Sequence, residues 1–193
     1  MKMKHVYQII SCLVLFMMVE SDLFAQKDFF GMQTITVSDQ EFVLRWSAKT
    51  RNDRYMEEFL LPSENFAGFI QKVTIECSQE NKSVEDEMRE LMAKLAVKKE
   101  QNIVFSFEQI DSPVEGEIWI EYVQGNVQGG QSFTMEWNLN RYRLVNNRVV
   151  LFRVIHRAYD KELNDFMKII NKKRDKWIKD AASFQMETVK VKK

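Results

Sequence analysis

The feature that most constrains this fold is a period-two alternation of apolar residues across the second half of the chain. Between residues 103 and 158, apolar side chains recur at every second position in stretches joined by short polar links. This spacing places them on one face of a β-strand. Short links between successive strands require antiparallel pairing. The pattern therefore predicts one antiparallel sheet.

One hairpin and one central strand are predicted within this region. Asn146-Asn147 separates two apolar runs, and asparagine tolerates the positive φ angles of a tight hairpin turn. The returning strand, residues 148–158, contains VVLFRVI and is apolar on both faces. Burial on both faces is typical of a strand inside a sheet. The glycine-rich residues 125–130 are expected to form a loop between two strands.

The first half of the chain predicts three strands followed by two helices. The strands cover residues 35–37, 42–46 and 54–61, and Phe42, Leu44 and Trp46 are expected to share one face. The first helix is predicted from an apolar stripe with helical spacing, which would bury Cys77; its members are Phe66, Phe69, Ile70, Val73 and Cys77. Pro62 would end the preceding strand, and Ser63 would cap this helix.

The second and third helices have clearer start signals. Ser83 is a preferred N-cap for a helix with acidic residues in its first turn and lysines in its last. Asp160 is expected to cap a long C-terminal helix. We therefore expect an α+β fold, with one antiparallel sheet of about 6–8 strands packed against two central helices and a long C-terminal helix in an α/β/α sandwich. Residues 33–185 would form a single domain between a lead-in (26–32) and a basic tail (186–193).

The N-terminus predicts export. Lys2 and Lys4 precede an apolar run of eleven residues, Ile9–Val19, and Ala25 supplies a small residue for cleavage. This order is typical of a signal peptide, and the run is shorter than the roughly 20 residues that span a membrane. We expect cleavage near Ala25, a periplasmic or extracellular location, and no transmembrane helix in the mature chain. An uncleaved anchor is the alternative.

Charge and cysteine content limit the function classes. The chain has 28 basic and 28 acidic side chains, so no strong field attracts nucleic acid. Only Cys77 remains after the predicted cleavage, and its place on an apolar face favours a structural thiol. His156 is the one histidine of the mature chain, and phosphate-loop, HExxH and CxxC motifs are absent from the sequence. These observations predict no catalytic residue, no metal site and no cofactor.

Carboxylates and arginines alternate on the predicted strands. Glu117, Glu121 and Glu136 are expected to pair with arginines on the following strands, although a two-carboxylate hydrolase is the alternative. If these strands carry a binding surface, it comprises Arg141, Arg143, Arg153, His156 and Arg157. The lysines of the last helix are interpreted as a solvated face. The alternative interpretation is a docking surface for an acidic partner.

Several short motifs resemble a family of small uncharacterised exported bacterial proteins. They are the stretch FLLP at residues 59–62, the hairpin start WNLNRY at 137–142, RAY at 157–159 and Lys173-Arg174. The order of elements also resembles the PsbP-like fold, which implies a role in interaction. We therefore expect an exported, non-enzymatic domain that binds a protein or cell-envelope component. The alternatives are a carboxylate-based hydrolase and a small-ligand carrier with a cleft between the sheet and the C-terminal helix.

Overall fold

A single eight-stranded antiparallel sheet forms the centre of the protein. The computed structural model describes residues 27–50, 52–128 and 132–192. The strands lie in the spatial order β1-β2-β3-β4-β8-β7-β6-β5, and every neighbouring pair is antiparallel. The strands are β1 (Thr34–Val37), β2 (Gln40–Lys49), β3 (Tyr55–Leu60), β4 (Gln71–Glu80), β5 (Val104–Ile110), β6 (Ile118–Gln128), β7 (Ser132–Val145) and β8 (Arg148–Tyr159). The α+β class and the predicted antiparallel sheet are confirmed.

Two helices pack on opposite faces of this sheet. Helix α1 (Val84–Glu100) buries Leu95 against Ile120 of β6, whereas the neighbouring strand residue Trp119 belongs to the core on the other face. Helix α2 (Leu163–Ala182) packs on that second face. Its buried residues include Phe166, Ile170, Trp177 and Ala181. Adjacent strand residues point to opposite faces, so one sheet supplies two cores.

The predicted helix around residues 66–77 is wrong. Gln71–Glu80 is strand β4, paired with β3 on one side and with β8 on the other. Its β-branched run, Val73-Thr74-Ile75, favours strand geometry, and two complete ladders of hydrogen bonds outweigh the helical spacing of the apolar residues. The domain therefore has one helix between the two halves of the sheet.

Residues 61–70 form turns, so Ser63 caps no helix. The Glu64 carboxylate accepts hydrogen bonds from the backbone N–H groups of Ile70 (3.1 Å) and Gln71 (3.3 Å) and fixes the entry into β4. Strand β3 ends at Leu60, two residues before Pro62, as predicted. Cys77 is buried as predicted, but on a strand.

The predicted hairpin and central strand are confirmed. Asn146 and Asn147 have φ angles of 49° and 62°, and β8 lies between β4 and β7. The predicted cap of α1 is also confirmed, since the Ser83 hydroxyl accepts the Asp86 N–H at 3.0 Å. Asp160 caps no helix: its carboxylate accepts the Phe133 N–H at 3.0 Å, and α2 follows a short 3₁₀ turn.

Two β-bulges turn aromatic side chains toward solvent, and one of them moves Trp46 out of its predicted face. A register shift between Leu44 and Trp46 leaves Trp46 42% exposed, although Leu44 is buried. A second shift follows Val104 and leaves Phe105 exposed. Both bulges insert a residue into the two-residue period, which reverses the direction of the side chain.

The first part of the glycine-rich segment, residues 125–128, is the end of a strand and not a loop. Strand β6 continues to Gln128, which pairs with Ser132, and residues 129–131 lie outside the described residues. A Cβ on Gly125 would lie 2.6 Å from Phe133 Cζ, so a larger residue here would require the Phe133 ring to move.

Both ends of the described chain add to the core. Phe29 and Phe30 from the expected lead-in are buried, as are Met186 and Val189 from the expected basic tail. The Lys192 N–H donates to the Phe29 carbonyl at 2.7 Å, so the two segments lie side by side. The predicted signal peptide (1–25) and its cleavage near Ala25 lie outside the described residues.

Candidate functional site: a groove beneath the C-terminal helix

The sheet separates the five residues predicted as a binding surface. His156 lies on the face covered by α2, beside Trp177, whereas Arg153 and Arg157 alternate with it on β8 and point to the other face. Arg141 and Arg143 lie on β7 and reach the C-terminal end of α2. The five residues therefore form no common surface.

Arg141 joins the sheet to the end of α2. Its Nε and Nη2 atoms each donate to the Glu117 carboxylate at 2.8 Å, and both side chains are only 1% exposed. The guanidinium also donates to the carbonyls of Ala181 and Phe184. Arg143 reaches the same carboxylate at 3.7 Å and Glu187 at 2.9 Å. Both arginines are committed to structure.

Arg153 and Arg157 are also paired. Arg153 donates to Asn140 Oδ1 at 2.9 Å and contacts Glu76 at 3.4 Å. Arg157 Nε donates to the Glu136 carboxylate at 2.7 Å, and its guanidinium lies 3.7 Å from the ring centroid of Phe69. Arg153 and Arg157 thus each have a carboxylate partner on a neighbouring strand, which favours cross-strand stabilisation.

The three carboxylates considered for hydrolysis are bound by arginines. Glu117 and Glu136 pair with strand arginines as expected. Glu121 instead accepts hydrogen bonds from Arg174 of α2, at 2.7 and 2.9 Å, and from the indole N–H of Trp137. Sequence spacing could not reveal the contact with Arg174, because that residue comes from an element 53 positions away.

Cys77 and His156 do not form a dyad. Cys77 pairs with Val150 and Gln71 pairs with His156 on the same two strands, so six residues separate the two pairs along the strands. At about 3.4 Å per residue this corresponds to roughly 20 Å. Burial raises the pKa of the Cys77 thiol to about 11. The thiol is therefore protonated and poorly nucleophilic near neutral pH.

His156 is a buried, neutral imidazole stacked on an indole. The side chain is 6% exposed, and its ring lies 3.8 Å from that of Trp177 with an interplanar angle of 10°. Burial and, to a lesser extent, the nearby Lys173 lower the pKa of His156 to about 3. Among the described residues, no group hydrogen-bonds to the ring. Burial favours the neutral form, which keeps one N–H donor.

A groove opens beside this stack, between α2 and the ends of β4 and β8. It consists of two cavities of about 350 and 440 Å³ that share Gln71, His156, Lys173 and Trp177. We call it the α2 groove. One end is lined by Val37, Gln40, Phe42, Val154, Lys176 and Asp180. The other end is lined by Ile70, Arg157, Ala158, Glu162, Asp165, Phe166 and Ile169.

Lys173 is the unpaired cation of the α2 groove. Lys176 is held by Asp180 at 2.5 Å, and Asp165 is held by Lys168 at 2.9 Å. Lys173 has no carboxylate partner within the part of the chain that the structure describes. Its ammonium group thus lies beside a neutral imidazole and forms no ion pair with a described residue, an arrangement suited to an anion.

Two other cavities are lined by residues that already contact other parts of the chain. A cavity of about 360 Å³ under α1 contains Arg54, which bridges Glu76 (3.3 Å) and Glu87 (2.6 Å). A cavity of about 370 Å³ beside Cys77 lies under residues 189–192. In the first cavity, the charges already compensate one another.

The sequence predicts a cleft between the sheet and the C-terminal helix only as an alternative, and it identifies few of the residues that line the α2 groove. The charge pattern of the last helix assigns its lysines, Lys173 among them, to a solvated face, although a spacing of four residues places Lys173 and Trp177 on one side of a helix. Gln71 was assigned to a helix. One signal in the sequence could have indicated the site, namely the position of Lys173 next to the apolar face of α2.

Two absences concern only the described residues. Residues 27–50, 52–128 and 132–192 hold no group of three or more His, Cys, Asp or Glu side chains placed to bind a metal ion. In the same ranges, neither helix is apolar enough over a sufficient length to cross a membrane.

Comparison with known proteins gives a family but no named relative. No curated protein matches the chain. A family model matches residues 32–186, which include all eight strands and both helices. Since the match covers most of the chain, the protein belongs to this family, which is uncharacterised.

Proposed function

We propose that this protein is an exported, non-enzymatic binding domain and that the α2 groove is its binding site. The observation that carries the proposal is the position of Lys173, which has no carboxylate partner among the described residues, beside the stacked pair His156 and Trp177. A concave site with an apolar floor and a few polar groups is the usual form of a binding pocket. The bound component would belong to the cell envelope.

The state of the reactive groups supports a binding role. A general base works best with a pKa near the ambient pH, and the pKa of His156 lies far below it. Glu57 has a pKa raised to about 7 by burial, but its carboxylate accepts the backbone N–H groups of Phe29 and Phe30. The side chain is fully buried and lines none of the cavities described above. Glu57 is therefore placed to hold the N-terminal segment.

Export remains part of the proposal. It rests on the signal-peptide pattern of residues 1–25, with cleavage near Ala25. A sheet with helices on opposite faces is compatible with a likeness to the PsbP-like fold, which is used for interaction.

A small-ligand carrier is the second candidate function. The groove lies between the sheet and the C-terminal helix, where such a carrier would need its cleft. The hydrolase alternative has less support, because Glu117, Glu121 and Glu136 are each bound to an arginine.

Affinity capture tests the proposed function. The mature chain (26–193) is immobilised and exposed to solubilised cell envelope, with Lys173→Gln as the test variant and Lys172→Gln as a control of equal charge. We expect a component that the control retains and Lys173→Gln loses. Recovery of the same components by both variants would refute the role of the groove, and detection of the native protein only in cytosol would refute export.

A further inference from the structure

The α2 groove has hydrogen-bond donors, apolar residues and acidic residues in different parts, and this distribution limits the class of ligand that it can bind. Its middle carries Lys173. Beside it lie the side chains of His156 and Gln71, for which the described part of the chain supplies no hydrogen-bond partner. His156 is more than nine-tenths buried, has no hydrogen-bond partner among the described residues, and lines both cavities. The ring lines the groove, so a ligand that accepts a hydrogen bond from the imidazole N–H would satisfy this donor.

Three donors of this kind match a carboxylate. The Lys173 ammonium supplies charge, and the imidazole N–H and the Gln71 amide supply directed hydrogen bonds. A carboxylate has two oxygens that accept several hydrogen bonds, and charge-assisted bonds are stronger than neutral ones.

The cavity on one side of these donors is apolar and open. Phe166 and Ala158 form a buried floor. Ile70 is 51% exposed and Ile169 is 38% exposed, so a chain of methylene groups would remove their apolar surface from water.

The far end of this cavity is acidic. Glu162 and Asp165 lie at the start of α2, and a rise of 1.5 Å per residue puts Asp165 roughly 12 Å from Lys173 along the helix axis. Lys168 compensates Asp165, whereas Glu162 has no basic partner among the described residues. A second anionic group on the ligand would therefore meet a carboxylate.

We propose that the α2 groove binds a monocarboxylate with an unbranched apolar tail, with the carboxylate at Lys173, His156 and Gln71 and the tail over Ile70 and Ile169. This proposal rests on the proposed function, since it names the chemistry of the component that the groove holds. The ligand is an amphiphile small enough for a cavity of about 440 Å³.

Octanoate is the probe for this proposal. The mature chain is titrated with sodium octanoate below its micellar concentration, and the indole N–H of Trp177 is followed by NMR. We expect saturable one-to-one binding, with octanoate several-fold tighter than hexanoate because of the extra methylene groups. Octanol, which lacks the charge, and octanedioate, whose second carboxylate approaches Glu162, should both bind more weakly.

Matched variants locate the site. Lys173→Gln should weaken octanoate binding about tenfold, as expected for loss of a charge-assisted contact. Lys172→Gln, which changes the same charge one position away, should leave the affinity within twofold. Ile169→Gln should weaken octanoate more than hexanoate. Circular dichroism confirms that each variant is folded.

Several outcomes would overturn the proposal. They are absence of saturation, equal weakening by Lys172→Gln, tighter binding of octanedioate, and tighter binding of an acetylated tripeptide with a free C-terminal carboxylate. Failure of octanoate combined with a Lys173-dependent envelope component in the capture experiment would refute this ligand class and leave the proposed function standing. Octanoate binding without any captured component would support this ligand class and refute the proposed binding of an envelope component.

Discussion

The imidazole of His156 lies flat on the indole of Trp177, with ring centroids 3.8 Å apart and planes inclined by 10°. The contact joins β8 to α2 and forms the floor of the α2 groove. Offset or parallel stacking of two aromatic rings adds to the free energy of burial. Burial of the ring at this contact disfavours its charged form, which explains why the imidazole remains neutral.

The first prediction concerns acid stability. The pKa of His156 is about 3 in the folded protein and 6.5 as its ordinary value, with Lys173 and Lys176 opposing protonation and Asp180 favouring it. Between pH 6.5 and 3 the unfolded state binds the extra proton, so the free energy of unfolding falls as pH falls, by up to about 1.4 kcal/mol per pH unit. His156→Phe keeps an aromatic ring and should remove this contribution. Urea unfolding at pH 7, 6 and 5 measures it, and identical pH profiles would contradict the assignment.

The second prediction concerns Glu57 and has the opposite sign. Burial raises its pKa from 4.5 to about 7, so the folded state binds the extra proton between these values. The contribution of Glu57 to the free energy of unfolding should therefore fall as pH rises from 4.5 to 7. Glu57→Gln stays neutral and should be less sensitive to pH in this window. Its stability relative to the natural protein should rise with pH, and a constant difference would show that the carboxylate is ionised throughout.

The third prediction concerns the buried ion pair of Arg141 and Glu117. Both side chains are 1% exposed. Removing one partner leaves an uncompensated buried charge, so Glu117→Gln or Arg141→Met should each lower the free energy of unfolding by about 3–5 kcal/mol. The double variant should cost less than the two single changes together. Additive losses in denaturant unfolding would indicate that the two groups do not interact.

The fourth prediction concerns the reactivity of Cys77. The thiol is buried, and its pKa is raised to about 11. Iodoacetamide at pH 8 should therefore modify the folded protein far more slowly than the protein in denaturing urea, because the thiolate is the reactive form. Equal rates, or a disulfide-linked dimer through Cys77 under native conditions, would contradict its burial.

Most of the sheet was predictable, and the exceptions have physical causes. Alternation of apolar residues predicts β6, β7 and β8, and Asn146-Asn147 predicts the turn between β7 and β8. Strand β4 was misassigned because its apolar residues also fit a helical spacing, and only pairing with β3 and β8 decides between the two. Bulges at Trp46 and Phe105 changed side-chain directions in a way that no local pattern records.

The site was less predictable than the fold. His156 was the one residue named in advance that lines the shared part of the α2 groove, and Arg157 lines one end of it. Gln71 reaches His156 through the pairing of β4 with β8, and Lys173 reaches it through the packing of α2. These contacts join residues far apart in the chain. A single sequence gives their periodicity but not which helix face lies over which strand.

Site-specific photo-crosslinking tests the binding role of the α2 groove most directly. A photoreactive phenylalanine is placed at Ile169 in the groove, or at Leu144, which is exposed on another part of the surface, and cells that produce the protein are irradiated. The account predicts a crosslinked envelope component at position 169 that Lys173→Gln abolishes and octanoate competes away. A component crosslinked at position 144 and absent at position 169 would contradict it.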